Sequence, residues 1–244
     1  MTGIETGTRG RRQGGEPALR QLTATQAISQ SLVSLVRTPQ TALALLVLVV
    51  ATALLRLVEL GTFEGATMYV VGALAVGCTL VGIALLARCV GLDTGYVDGT
   101  FAEQLSAALR TVPALLVANL LIVGLFALTF FVLGLFLSST GAVLIGLPVV
   151  LLLTLQVLLI VPATGVEGRL LEGVIEGWEG ASQYRLQLLG IVVGVEGPLL
   201  LVEWRLVVAS THSNVGYWLI VALSGVLLGV LVLSLARLYV DSRR

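Results

Sequence analysis

Lysine is absent from this chain, and charge of either sign is scarce. All 14 basic residues are Arg; they are matched by 14 acidic residues, and charged side chains make up only 11% of the 244 positions. Soluble globular domains carry about a quarter, so that class is excluded. The balanced charge gives no electrostatic footprint for nucleic acid. Cysteine is nearly missing too. Cys78 and Cys89 lie in one apolar run, about 16 Å apart along a helix and too far to bridge each other. The single histidine, His212, stands in a polar stretch without Cys, Asp or Glu at ligand spacing, so no zinc site is assigned. Nothing matches a phosphate-binding loop, a Ser-His-Asp order, a zinc-protease helix or a kinase element. The expectation is a protein that is not an enzyme, with no cofactor, no metal and no catalytic residue.

What the chain has is hydrocarbon. Hydrophobic residues make up 57%, gathered into six runs: Thr41–Leu60, Met68–Val90, Val112–Ser138, Gly141–Pro162, Leu186–Val202 and Tyr217–Val240. A helix needs about 20 apolar residues to cross a bilayer, so the runs predict six transmembrane helices. Continuous apolar runs, without ten-residue alternation, argue against a barrel. The polar stretch ahead of the first run is too long for a secretory signal, and the first span is read as an uncleaved helix.

The arginines orient these spans. Arg9, Arg11, Arg12, Arg20 and Arg37 precede span one; Arg88 and Arg110 fall between spans two and three; Arg169 and Arg185 between four and five; Arg237, Arg243 and Arg244 close the chain. Only Arg56 and Arg205 fall on the other side. The positive-inside rule makes the Arg-rich side cytoplasmic, with both termini inside. The domain reading is a disordered cytoplasmic tail over 1–22, one membrane domain over 23–240 and a cytoplasmic tail over 241–244, in the cell membrane.

An amphipathic stretch leads into each hairpin of spans. Thr23 to Thr38 places Ile28, Leu32, Leu35 and Val36 on one face, and opens with a Thr23-x-x-Gln26 capping box. Thr100 to Thr111 places Phe101, Leu105, Ala108 and Leu109 likewise, with Thr100-x-x-Glu103 at its start. Val166 to Gln183 is expected to bury Leu170, Leu171, Val174, Ile175 and Trp178 and to expose Glu172, Glu176 and Glu179. Gly173, Gly177 and Gly180 should weaken this third helix, each by about 1 kcal/mol against Ala. Pro39 and Pro113 suit first helical turns. The fold class is therefore all-α and polytopic: three transmembrane hairpins, each preceded by a cytoplasmic interfacial helix.

Three intramembrane polar residues are candidates for function: Glu196, Asn119 and Gln156. An ionised group at a span centre costs about 2.5–3.5 kcal/mol and is functional by default. Glu196 is followed by Gly197-Pro198, which can free carbonyls to build a site from broken helix. Asn119 and Gln156 suit helix-to-helix hydrogen bonds, and Arg56 and Glu59 suit an ion pair. Gly190-x-x-x-Gly194 and Gly225-x-x-x-Gly229 offer close-packing faces, expected within the last hairpin.

Val161-Pro162, Glu167, the amphipathic segment ending at Trp178 and Leu188-Leu189-Gly190-Ile191-Val192 resemble the central signature of YciC-like proteins. The same signature marks the membrane domain attached to some glycerophosphodiester phosphodiesterases and related uncharacterised archaeal or bacterial membrane proteins. Arg37-Thr38-Pro39 and the closing Ala236–Arg243 segment fit as well. The family usually has a basic residue and a Ser where Glu176 and Gly177 stand. The resemblance implies a six-helix membrane fold of largely unknown function and carries over no site residues. The leading expectation is a non-enzymatic scaffold, accessory or lipid-environment protein; the alternative is a small-solute or proton-coupled transporter using Glu196 at mid-membrane. Expected partners are membrane lipids, with an unidentified membrane protein or a second copy as further candidates, and no nucleic acid. A bundle-facing polar cavity around Glu196, Asn119 and Gln156 would favour transport; a dry, tightly packed interior would favour the scaffold.

Overall fold

In hydrocarbon every backbone N–H and C=O must find an internal partner, so apolar runs of this length fold as helices. The computed structural model describes residues 21–136, 139–208 and 215–244. Arg9, Arg11, Arg12, Arg20, Ser138 and His212 lie outside the described residues. The helices are α1 (Ala24–Arg37), α2 (Pro39–Glu59), α3 (Ala66–Thr94), α4 (Phe101–Phe136), α5 (Ser139–Val157), α6 (Ile160–Glu167), α7 (Leu170–Gln183), α8 (Arg185–Ile191), α9 (Gly197–Val208) and α10 (Val215–Ser242), with a π-helical turn, Val192–Glu196, joining α8 to α9. No strand occurs among the described residues. Six segments are long and apolar enough to cross a membrane: Pro39–Glu59, Ala66–Thr94, Phe101–Leu135, Ile145–Glu167, Arg185–Leu206 and Val215–Ser242. The chain is an all-α, multi-pass membrane protein.

Local chemistry sets several boundaries. Thr23 and Gln26 exchange side-chain and backbone bonds at the start of α1, and Thr100 and Glu103 do the same ahead of α4. These reciprocal bonds satisfy amides that the first helical turn leaves without partners. Pro39 opens α2, where its missing N–H loses nothing. Span four breaks at Leu158–Leu159, between α5 and α6. Pro162 stands four residues after Leu158 and cannot donate to its carbonyl, so a new helix begins there. Span three departs from expectation: α4 is one helix of 36 residues with Pro113 inside it, not an interfacial helix followed by a span.

The core is built on α10, which packs against α1, α2, α3, α6, α7 and α9. From Gly229 to Val240 every residue of α10 is buried. The surroundings thin out away from this axis. The C-terminal half of α4 exposes Leu120, Val123, Leu128, Phe131 and Leu135, a surface suited to acyl chains.

The helices that lead into the first and third hairpins pack on their small residues; in the third this reverses the expected burial of Leu171, Ile175 and Trp178. In α1 the inward face is Ala27, Ser31 and Ser34, whereas Leu32, Val33 and Val36 point outward. In α7 the inward face is Gly173, Gly177, Gly180 and Ala181, and Leu171, Ile175 and Trp178 are exposed. Glu176, expected outside, is partly buried and bonded. The physical reason is proximity. A Cβ on Gly173 would lie 2.5 Å from the Thr164 Cα, and one on Gly177 2.8 Å from the Ile160 Cα. The two glycine pairs of spans five and six are also used across the bundle: Gly190 and Gly194 face Ala24 and Ile28 of α1, and Gly225 and Gly229 face Val49 and Leu45 of α2.

Candidate functional site

Span five carries the irregularity that shapes the site. Pro198 has no N–H to give the Gly194 carbonyl, and its ring crowds that carbonyl in a regular helix. The chain answers by widening one turn: the Gly197 amide bonds to the Val192 carbonyl, five residues back. The helix is π-bulged, not broken as Gly197-Pro198 suggested. Bulges of this kind concentrate at functional sites because they redirect a side chain without ending the helix.

The redirected side chain is Glu196. It lines a cavity of about 340 Å³ among α2, α3, α9 and α10, together with Thr52, Thr79, Arg56, Glu59, Glu203 and Ser224, with walls of leucine. Its Oε2 is buried and has no hydrogen-bond partner among the described residues. Arg56 is committed elsewhere: it ion-pairs with Glu59 on its own helix and with Glu203 across the bundle. Ser224 donates to the other oxygen of Glu203. Glu203 follows Glu196 by seven residues, about 10 Å along the helix axis. The cavity therefore has a carboxylate at mid-depth and an ion cluster nearer the end of α2. Two carboxylates hold the one guanidinium, and Glu196 is left unpaired among the described residues.

The structure does not bring the three expected polar residues together. Asn119 turns back on its own helix and donates to the Leu115 carbonyl at 2.8 Å. Gln156 sits near the end of α5, at the middle of span four, donates to the Trp178 carbonyl at 2.8 Å and accepts from Arg185 at 3.4 Å. It fastens α5 to α7 and α8. Sequence reasoning missed Glu203, because it ended span five at Val202, whereas the helical span continues to Leu206. The seven-residue spacing from Glu196, two helical turns on one face, was the signal that could have found it.

A second polar layer closes the Arg-rich end. Tyr239 is fully buried on α10, its hydroxyl 2.5 Å from Glu167 Oε1 and 2.8 Å from Glu176 Oε2. Tyr96 also donates to Glu167, and Arg243 pairs with Glu176. Arg237 bonds Asp93 and Ser34, each at 2.7 Å, tying α10 to α3 and α1. Asp241 accepts from the Leu22 amide and from Tyr184. Burial and then the Asp241 carboxylate push the Tyr184 phenol well above the usual tyrosine range. Burial and Glu167 raise Tyr96 in the same direction. This layer joins the α1, α3, α6–α8 and α10 segments of the chain.

Among the described residues no group of three or more His, Cys, Asp or Glu could hold a metal ion. No protein-family model, curated protein or solved structure matches the chain.

Proposed function

We propose that the protein is a small-solute carrier, in which Glu196 binds a proton or a compact cation inside the membrane. The observation that carries this reading is Glu196 itself, which lines a leucine-walled cavity at mid-span and whose buried Oε2 has no hydrogen-bond partner among the described residues. An ionised carboxylate at that depth costs about 2.5–3.5 kcal/mol; a bound proton or cation offsets it. The neighbouring arginine does not supply the charge, because Glu59 and Glu203 already hold it. Leucine walls around one unpaired acidic group fit a solute with a protonated amine and an apolar body. The ion cluster of Arg56, Glu59 and Glu203 then stands between the solute and the nearer membrane face. In this reading the Arg-rich end is cytoplasmic, the cavity opens toward the opposite face, and the membrane is the cell membrane. The chemistry is binding and passage, not catalysis. The YciC-like resemblance is compatible with it, since that signature describes a membrane fold without an assigned reaction.

The experiment is proton movement in proteoliposomes loaded with a pH-sensitive dye and challenged with benzylamine. Labelling of Thr62→Cys and Gly95→Cys, in a background lacking Cys78 and Cys89, reports orientation. Wild type should couple amine addition to a proton signal, Glu196→Gln should abolish it with an unchanged melting temperature, and Glu196→Asp should retain part. Equal signals from wild type and Glu196→Gln would sink the proposal.

A further inference from the structure

A second cavity, of about 440 Å³, opens at the Arg-rich end between α3, the first turns of α4 and the α6–α7 junction. It is separate from the Glu196 cavity and does not depend on the transport reading. Arg88, Arg110 and Arg169 line it, with Ser106, Thr111 and Gly168. Three guanidinium groups converging on one space repel one another unless something negative sits between them.

The protein supplies part of that charge without pairing Arg88 or Arg110. Arg88 is only 8% exposed, yet its Nε is buried without a partner; one of its terminal nitrogens donates to Gln104 at 3.1 Å, and Gln104 is itself held by the Asp98 carbonyl. Arg88 is thus oriented by a neutral amide. No carboxylate lies within ion-pair distance of Arg88 or Arg110 among the described residues, and Arg169 pairs only with exposed Glu172. Two acids border the cavity and keep their charge, because their hydrogen-bond donors are neutral: Glu103 caps α4, and Glu167 accepts from Tyr96 and Tyr239 and acts on Arg88 through space without pairing with it. Gly168, at φ +77°, passes so close that a Cβ there would lie 2.7 Å from an Arg88 terminal nitrogen. The backbone leaves that guanidinium room.

We propose that this pocket binds a phosphate group, carried by a lipid headgroup or free in solution, between Arg88, Arg110 and Arg169. Guanidinium forks match phosphate oxygens with paired, charge-assisted hydrogen bonds, and the Ser106 hydroxyl adds a donor at the rim. Leu105 and Leu109, exposed on the same turns of α4, continue the surface in the direction an acyl chain would follow.

The test uses the full chain in maltoside detergent, titrated separately with dioctanoyl phosphatidylglycerol and with inorganic phosphate. Native mass spectrometry and melting temperature are the readouts. Arg88 is buried, so the variants alter the exposed pair: Arg110→Gln with Arg169→Gln, against Arg37→Gln with Arg244→Gln as an equal loss of charge elsewhere on that end. The first double variant should weaken binding about thirtyfold, and the second less than threefold. Saturable binding of phosphatidylglycerol alone identifies a lipid site; saturation by inorganic phosphate as well identifies a general phosphate site. Binding of neither ligand, or equal losses in both double variants, overturns the proposal.

Discussion

Substituting the α7 glycines by alanine sets two physical effects against each other. Helix propensity favours Ala over Gly by about 1 kcal/mol, so the sequence alone predicts that each change stabilises α7. The packing predicts the opposite at two positions. A Cβ on Gly173 would lie 2.4 Å from Thr164 Oγ1, 2.5 Å from its Cα and 2.6 Å from its N; one on Gly177 would lie 2.8 Å from the Ile160 Cα and 2.9 Å from the Leu159 carbonyl oxygen. Most of these neighbours are backbone atoms and cannot swing aside, so α6 and α7 must separate. Overpacking of this kind costs about 1–3 kcal/mol, and helix separation at two interlocked turns belongs at the upper end. After subtracting the propensity gain, Gly173→Ala and Gly177→Ala should each lose about 1–2 kcal/mol, a fall of about 2–8 °C for a chain of this size. Gly180 is the internal control, because its Cβ would meet chiefly the Ser242 hydroxyl at 3.0 Å, a side chain free to rotate. Gly180→Ala should match or slightly exceed wild type. Tryptophan-fluorescence melting of the three variants in one detergent decides the matter. Gly173→Ala and Gly177→Ala melting at or above wild type would refute the packing argument.

Two further outcomes follow from the polar layer at the Arg-rich end. Tyr239→Phe removes the buried hydroxyl between Glu167 and Glu176, and should cost about 1.5–3 kcal/mol by denaturant titration; a neutral result would show that Tyr96 and Arg243 suffice. Because the Tyr184 phenol titrates higher folded than unfolded, its contribution is complete below pH about 10 and declines as the pH rises beyond it. Melting temperature should therefore drop above that pH, less steeply in Tyr184→Phe, and parallel curves for the two proteins would contradict the assignment.

Six spans and their approximate limits could be read from length and hydropathy, because the bilayer tests those two properties directly. Capping boxes at Thr23 and Thr100 were readable for a similar reason: both partners lie within four residues. Packing partners were not. Leu32 and Ile175 look like core residues by helical periodicity, but in a membrane the solvent is itself apolar. The large residues can face lipid while Ser31 or Gly177 makes the close contact. Glu196 was visible as a charge in an apolar run. Its cavity was not, since Arg56, Ser224 and Glu203 come from separate helices whose relative rotation no local pattern encodes. The Arg88 pocket was hidden by its own ingredients, which served the reading only as markers of orientation.

The widened turn at Val192–Glu196 also changes the phase of everything after it. One additional residue in a turn offsets the following helix by about 100° from the line its predecessor would have drawn. Span five is therefore two half-helices with separate azimuths, the first presenting Gly190 to α1 and the second presenting Glu203 to α2 and α10. Straightening the turn into regular helix would return both halves to a common azimuth, and the two sets of neighbours could not then be met at once.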